Sequence, residues 1–208
     1  AKKSLLQKLI QVSKEVGDFI KAQQLSPNEI EEKSFNNLVS RVDKEAEQKF
    51  VSRLSQLLPD AGFIAEEGTG SPIDGGYNWI IDPLDGTTNF IHNIPFYCTS
   101  VALHGPDGLV LGVIYEPHLK ECFSAIRGEG AWLNEKPIRV SSASELSKTL
   151  LATGFPYDDF GRQEAYMELL KDFTTNTRGI RRLGSAALDL AYVACGRCDA
   201  FYEYGLNP

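Results

Sequence analysis

The spacing of hydrophobic residues is helical at the start of the chain and strand-like further along. Apolar residues recur every three or four positions between Leu5 and Ile20, with Lys and Gln between them, which predicts an amphipathic helix that ends at 26–28. A second helical pattern begins near Ser40 and stops at Pro59. Beyond Pro59 the apolar runs become short and are bounded by turn residues, which is typical of strands.

These shorter runs, together with two later helical patterns, predict a layered fold. Strands are predicted at 62–65, 78–81, 99–103, 109–115, 121–126, 131–140, 150–153 and 200–204, and helices at 162–173 and 185–194. Two helices, a run of antiparallel strands and then helices alternating with strands indicate an α+β layered sandwich. No linker rich in Pro, Gly or Ser divides the chain, so we expect residues 1–208 to belong to a single domain.

Carboxylates follow two of the predicted strands. Glu66 and Glu67 come directly after one strand, and Asp82 and Asp85 come after the next strand along the chain. Four converging acidic groups without His or Cys repel one another unless a cation lies among them. Ligation by oxygen atoms alone favours Mg²⁺ or Mn²⁺ over zinc. The pattern therefore predicts a site for a hard divalent cation.

The residues between Asp82 and Asp85 indicate how the two carboxylates can reach the same place. Asp82 and Asp85 are three positions apart, so a straight strand would direct them to opposite faces. Pro83 is expected to break the strand there, so that the chain turns and both carboxylates come to one place. A turn of this kind also frees the carbonyl of Leu84 as a further oxygen ligand.

The residues after the second aspartate suit a phosphate group. Gly86, Thr87 and Thr88 present consecutive backbone N–H groups and two hydroxyls. If a short helix starts there, its unpaired donors form an anion site. A pair of metal ions beside such a loop is the equipment for phosphate-ester hydrolysis, in which one ion activates a water and the other stabilises the leaving alkoxide. Thr87 then orients the attacking water, with help from a nearby carboxylate.

Each feature also has an ordinary structural explanation. Asp85 opens a good turn sequence and can be an Asx-turn residue, and the acidic stretch at 66–68 can be a solvated strand end. Ser40 and Asp43 fit a capping box, so the pattern alone favours a helix cap at Asp43. The joint occurrence of two carboxylate-terminated strands and a phosphate-ready loop nevertheless favours the metal site.

The segment NWIIDPLDGTTNFIH at 78–92 closely resembles the signature of the inositol monophosphatase family, whose members are Mg²⁺-dependent, lithium-inhibited phosphomonoesterases. The resemblance covers nearly the whole chain. Its other segments are LVSRVD at 38–43, AEE at 65–67, GFP at 154–156, RRLGSAA at 181–187 and FYEYG at 201–205. It implies an αβαβα layered sandwich of the inositol monophosphatase and fructose-1,6-bisphosphatase type, and a homodimer.

The resemblance also assigns roles to individual residues. The implied metal ligands are Glu66, Asp82, the carbonyl of Leu84, and Asp85, for two or three Mg²⁺ ions, or Mn²⁺ in their place. Asp82 bridges the two ions. The implied catalytic residues are Asp43, Glu66 and Thr87. The implied substrate-binding residues are Asp85, Gly86, Thr87, Gly184, Ser185, Ala186 and Glu203.

The expected activity is hydrolysis of a small polyol or sugar phosphate, with myo-inositol monophosphate as the first candidate. Metal-activated water would attack in line, without a covalent phospho-enzyme. Relatives act on fructose 1,6-bisphosphate, histidinol phosphate or a nucleotide 3′-phosphate, so the substrate stays open. Some bacterial relatives are protein-binding partners in transcription complexes with secondary hydrolase activity. For that alternative, Arg181, Arg182 and the exposed side of the helix at 162–173 are the candidate docking surface.

Composition and charge argue against nucleic-acid and membrane partners. The chain has 21 Lys and Arg against 28 Asp and Glu, a formal charge of −7 that opposes direct nucleic-acid binding. No apolar run approaches the roughly 18 residues of a membrane span, and the N-terminus lacks the apolar core of a signal peptide, so we expect a cytoplasmic protein with no membrane partner. Cys195 and Cys198 lack a second ligand pair and close a predicted helix, which indicates structural cysteines.

The last residues depart from the family pattern. After Pro208 the family continues with a Trp-Asp pair, whose Asp is a third carboxylate of the second metal site. We therefore expect this sequence to lack a C-terminal segment.

Overall fold

The computed structural model describes residues 2–25, 29–34, 37–156 and 160–206, with backbone only at 32–34 and 37. The helices are α1 (Lys2–Lys21), α2 (Arg41–Leu57), α3 (Thr87–Ile91), α4 (Gln163–Asn176) and α5 (Ala186–Ala194). The first strands are β1 (Ile30–Ser34), β2 (Asn37–Ser40), β3 (Gly62–Ala65), β4 (Asn78–Asp85), β5 (Cys98–Gly105) and β6 (Gly108–Glu116). The remaining strands are β7 (Glu121–Ile126), β8 (Gly130–Leu133), β9 (Lys136–Pro137), β10 (Leu150–Thr153), β11 (Gly179–Arg181) and β12 (Ala200–Tyr202). A 3₁₀ turn lies at Leu146–Lys148.

These elements stack in five layers. Strands β3 to β9 form a seven-stranded sheet in chain order, antiparallel except for the parallel pair β3–β4. Helices α1 and α2 cover one face of it, and α5 lies between it and a parallel three-stranded sheet in which β10 is central. Helix α4 packs on the outer face of the small sheet. The predicted α+β layered sandwich is confirmed.

The main core lies between the two N-terminal helices and the large sheet. The amphipathic spacing predicted for α1 and α2 turns one apolar stripe of each helix towards the sheet. The helices contribute Leu9, Val12, Val16, Ala46, Phe50 and Leu54, and the sheet contributes Trp79, Ile81, Val101 and Leu103. A smaller cluster joins α5 to the other face through Cys98, Phe123, Leu188 and Ala191. The two cores fix α2, β4 and α5 relative to one another, and each of these elements carries or borders part of the candidate site.

Three predicted strands, at 62–65, 121–126 and 150–153, have the bounds that the structure shows. The strand predicted at 131–140 is wrong: it is divided into β8 and β9 because Asn134 and Glu135 adopt positive φ angles of 46° and 68° and form a tight turn. The strand predicted at 200–204 ends at Tyr202. The N-terminal helix is confirmed as α1, which ends at Lys21, before the residues predicted to end it at 26–28, and those lie outside the described residues.

Pro83 does not break its strand, contrary to the prediction. Strand β4 continues to Asp85, with Asp82 opposite Ser100 and Asp85 opposite Cys98 on β5. Three steps along β4 therefore match two steps along β5, which is the signature of a β-bulge. The extra residue offsets the alternation of the strand, so the two aspartates can share a side without a break in the chain.

The structure also describes the cysteines and the length and polarity of the helices. All four cysteines carry free thiols; Cys195 follows directly after α5, and Cys198 is buried. In the part of the chain that the structure describes, no helix is both long and apolar enough to cross a membrane.

Candidate metal and phosphate site

Asp43 lies at the start of α2 and makes two kinds of contact. As the capping box predicts, its Oδ2 accepts a hydrogen bond from the backbone N–H of Ser40 at 2.8 Å, and the Ser40 side chain caps the helix in return. Its Oδ1 accepts a hydrogen bond from the hydroxyl of Thr87 at 2.8 Å. Burial raises the pKa of Asp43, and the bonds from Ser40 and Thr87 oppose that shift. The helix cap therefore holds Asp43 where it reaches the predicted phosphate loop.

The hydroxyl of Thr87 lies between two acceptors. Besides Asp43, it is 3.0 Å from the carbonyl oxygen of Leu84. A hydroxyl carries a single proton, so Thr87 donates to one of these oxygens at a time. Its contacts thus link the catalytic candidate Asp43 to the predicted carbonyl ligand.

Glu66 and Asp82 lie in contact just after the paired stretch of β3 and β4, which ends at Ala65 and Ile81. Their carboxyl groups share a hydrogen bond, and the pKa of Asp82 is raised well above its ordinary value by burial and by repulsion from Asp85 and Glu66. The backbone N–H of Leu84 donates to Asp82 Oδ1 at 3.0 Å and partly offsets this. Asp82 is therefore both desolvated and close to other carboxylates, and a bound cation would relieve both costs.

Asp85 is turned towards α5. Its Oδ2 accepts hydrogen bonds from the Ser185 hydroxyl and from the backbone N–H of Ala187, each at 2.6 Å. Burial raises the pKa of Asp85, these bonds lower it, and Glu66 raises it further by repulsion. Within the described ranges, no three His, Cys, Asp or Glu side chains converge closely enough to hold a metal as a group. Glu66 and Asp82 are therefore in direct contact, and both repel the nearby carboxylate of Asp85. Asp85 itself is held by its hydrogen bonds to Ser185 and Ala187 at the start of α5.

Glu67 is placed differently from the other predicted carboxylates. Its backbone N–H donates to the side chain of Glu47 on α2 at 2.6 Å. Glu47 is fully buried and was missed by the sequence analysis. The signal available was its position four residues after Asp43, which places both carboxylates on one face of a helix.

The predicted phosphate loop turns sharply at Gly86. This residue has φ of +100°, and a Cβ there would lie 3.1 Å from the Phe96 carbonyl oxygen and 3.2 Å from that of Gly184. Only glycine combines a left-handed backbone with such close approach. The short helix that the sequence predicted after it is α3, which begins at Thr87.

Asn89 connects this loop to the predicted substrate-binding segment. Its buried amide donates to the carbonyl oxygens of Phe96 at 2.7 Å and Leu183 at 2.8 Å. The next residues, Gly184 and Ser185, lead into α5, and Ser185 caps that helix through a bond from Leu188 N–H. The structure therefore brings Gly184, Ser185 and Ala186 beside Asp85 and Gly86. Asn89 lies inside the recognised signature, but no role was predicted for it.

Glu203 approaches the same region from the small sheet. Its carboxylate lies against Gly154, where a Cβ would overlap it. Burial raises the pKa of Glu203 to about 7, with Arg182 lowering it and Asp85 raising it. A second acid lies here that was not predicted: Asp189 on α5 is buried, and its pKa is raised to about 7 by burial and by Asp85 and Glu203. Its place in a packed helix gave no sequence signal.

Comparison with known proteins identifies the family. The model of the inositol monophosphatase family matches residues 2–208. An inositol-1-monophosphatase of Mesorhizobium japonicum is 39% identical over 213 residues, which covers 100% of this chain and 79% of that protein. A Nus factor SuhB of Pseudomonas aeruginosa is 43% identical over 183 residues, covering 86% and 68%. The crystal structure of the extragenic suppressor protein suhB of Bartonella henselae superimposes with a TM-score of 0.90 at 38% identity, covering 98% of this chain and 79% of that one.

Proposed function

The chain belongs to the inositol monophosphatase family, and on that premise we propose that it is a Mg²⁺-dependent phosphomonoesterase for a small polyol phosphate. Myo-inositol monophosphate is the first candidate substrate. The observation that carries the proposal is the hydrogen bond from Thr87 to buried Asp43, next to the crowded carboxylates of Glu66, Asp82 and Asp85. A water-activating pair and a set of oxygen ligands are thereby adjacent.

The donor set suits Mg²⁺. Glu66, Asp82, Asp85 and the carbonyl of Leu84 would hold the ions. The raised pKa values of Asp82 and Asp85 come from burial and carboxylate repulsion, which a bound cation offsets. When bound, the ions supply an activated water and positive charge that stabilises the leaving oxygen.

Thr87 and Asp43 would orient the attacking water and accept its proton. With Leu84 O engaged as a ligand, Asp43 is the remaining acceptor for the Thr87 proton, and the lone pairs of the hydroxyl can accept a hydrogen bond from water. Asp43 has a raised pKa because it is buried, which makes it a better proton acceptor than an exposed aspartate. The pair would thus orient the water and take up its proton.

The remaining residues would bind the substrate. The amides of Gly86 and Thr87 would contact the phosphate. Gly184, Ser185, Ala186 and Glu203 would contact the polyol, since they border Asp85 from α5 and from the small sheet. Glu203 can accept hydrogen bonds from hydroxyl groups once it is ionised.

The test is a phosphate-release assay on the purified protein with a panel of inositol, glycerol, sugar and nucleotide 3′-phosphates. We expect Mg²⁺-dependent release, fastest with an inositol monophosphate. Absence of release from every ester at millimolar Mg²⁺ would contradict the proposal. A faster reaction with fructose 1,6-bisphosphate or histidinol phosphate would keep the reaction class and change the substrate.

A second candidate is a protein-binding role, which the similarity to the Nus factor SuhB of Pseudomonas aeruginosa favours. The exposed Arg181 and Arg182, together with the exposed Met167 and Leu169 of α4, would form the docking surface. The charge-reversed R181E variant leaves Arg182 in place near Glu203 and is compared with wild type in a binding assay against purified transcription factors and in the phosphatase assay. Loss of binding with hydrolysis retained supports the second candidate.

A further inference from the structure

Glu47 is a buried carboxylate that binds a loop rather than another side chain. It lies on α2 and its side chain is fully buried. Its Oε2 accepts the backbone N–H of Glu67 at 2.6 Å, and its Oε1 accepts that of Thr69 at 2.8 Å. Each carboxylate oxygen therefore has a charge-assisted bond, which is about twice as strong as a neutral one.

The loop that Glu47 binds carries Glu66, one of the proposed ligands. On one side, the backbone N–H of Glu66 donates to Ile81 O on β4 at 3.1 Å, which continues the pairing of β3 with β4. On the other side, the next N–H along the chain is held by Glu47. Glu66 itself is exposed, so packing does little to fix it. The two bonds, together with the turn bond from Gly68 N–H to Ala65 O at 3.0 Å, hold the backbone of Glu66 beside Asp82.

Helix α2 thereby anchors both loops of the site. Asp43 and Glu47 are four residues apart and lie on one face of the helix. Asp43 holds Thr87 on the loop after β4, and Glu47 holds the loop after β3. Because α2 packs on the large sheet and contacts both ligand-bearing loops, it helps to set the separation of their carboxylates before any cation binds.

We propose that Glu47 is a positioning residue that sets the affinity of the site for divalent cations by holding the backbone of Glu66 beside Asp82. The inference rests on the proposed function, because it assumes that Glu66 and Asp82 bind the ion. It assigns Glu47 no contact with the ion or the substrate.

The test is the E47Q variant, whose side chain has the same shape. Its amide can accept one of the two N–H groups and faces the other with a donor, so the loop loses one anchor. Mn²⁺ binding to the protein without substrate is measured by electron paramagnetic resonance. We expect the Kd for Mn²⁺ to rise about 10-fold or more, the range typical of residues that orient metal ligands. Amide hydrogen exchange at Glu67 and Thr69 should accelerate in the metal-free protein.

Glu116 provides a matched control. It is also buried and accepts two backbone N–H groups, those of His118 at 2.8 Å and Leu119 at 2.5 Å, in the turn between β6 and β7. The E116Q variant makes the same chemical change away from the proposed ligands. We expect its Kd for Mn²⁺ to stay within twofold of wild type, whatever it does to stability.

The outcomes separate the inference from the proposed function. If wild type binds Mn²⁺ and hydrolyses a phosphate ester, an unchanged Kd in E47Q, or an equal rise in E116Q, overturns the role of Glu47 alone. If wild type neither binds Mn²⁺ nor releases phosphate, the proposed function fails and the inference fails with it. If E47Q does not fold, E47D keeps the charge with a shorter reach, and a Kd within twofold of wild type in that variant overturns the inference.

Discussion

At the scale of single residues, the contacts of Thr87 define its role most sharply. The T87V variant keeps the shape of the side chain and removes the hydroxyl that bonds to Asp43. We expect kcat to fall about 10²- to 10⁴-fold, the usual contribution of a positioned acid–base group. Buried Asp43 also loses a partner, which costs about 1–3 kcal/mol of unfolding free energy. Phosphate release and urea unfolding measure the two effects.

The T87S variant is the matched control for this prediction. Serine keeps the hydroxyl and loses only a methyl group, so most of the activity and stability should return. A T87V protein that retains more than half of the wild-type kcat would contradict the assignment of Thr87 and Asp43 to the attacking water.

Asp189 offers a residue-scale prediction about pH. Its pKa of about 7 lies above the ordinary 3.8, because of burial and repulsion from Asp85 and Glu203, with Arg182 opposing the shift. The folded chain therefore binds this proton more tightly than the unfolded chain. Stability from the bound proton is present below about pH 4 and is lost as the pH rises through 7. The D189N variant cannot ionise, so we expect its Tm to exceed that of wild type more at pH 8 than at pH 5.

Thermal unfolding across pH 5–8 checks this expectation. The exposed aspartate Asp60 gives a control, since D60N removes the same charge without a buried site. Equal Tm differences at both pH values for D189N, or the same pH trend in D60N, would show that ionisation of Asp189 is not the cause.

At the scale of elements, the turn from β4 into α3 depends on Gly86. A Cβ there meets Phe96 and Gly184 carbonyl oxygens at 3.1 and 3.2 Å in a left-handed backbone. The G86A variant should lose about 1–2 kcal/mol to the backbone conformation and more to overlap, and its phosphate-release activity should fall because the loop shifts. Gly128 also has positive φ but open space around its Cβ, so G128A carries only the backbone cost. Equal unfolding free energies for the two variants would contradict the role of close approach.

Elements with a local hydrophobic signal were predictable from the sequence, and elements that depend on distant partners were not. The helical spacing of α1 and α2 is visible in any window of the chain because each buries one apolar stripe. Strands β1 and β11 lacked such a signal. Strand β1 has the sequence IEEKS, which shows no apolar alternation. Strand β11 has only three residues, and its partner β10 precedes it in the chain by the whole of helix α4. The bulge in β4 exists only relative to β5, so Pro83 suggested a break instead.

The same distinction holds for the candidate site. Glu66, Asp82, Asp85 and Thr87 could be identified because their order along the chain is a specific signature. Glu47 was not predicted, because a glutamate inside a helix is ordinarily exposed, and its spacing from Asp43 does not by itself show that it is buried against the loop after β3.

At the scale of the whole molecule, the site draws on both sheets. Asp82 and Asp85 come from the large sheet, Ser185 from the start of the helix between the sheets, and Glu203 from the end of the small sheet. A ligand that binds these groups together therefore contacts both sheets and the start of the helix between them. Binding should stabilise the fold as a unit rather than one loop.

Mg²⁺ is consequently expected to raise the Tm of the substrate-free protein at pH 7.5. A ligand at 100 times its Kd adds about 2.7 kcal/mol to the unfolding free energy. The effect should shrink at pH 5, because the pKa values of Asp82 and Asp85 are raised and protons compete with the ion.

The chain carries a formal charge of −7, so screening alone also stabilises it. The rise in Tm with choline chloride at equal ionic strength measures the contribution of screening. In the D82N variant, Mg²⁺ should raise the Tm only as much as choline chloride does. An equal rise with both salts in wild type would show that the carboxylates hold no specific ion.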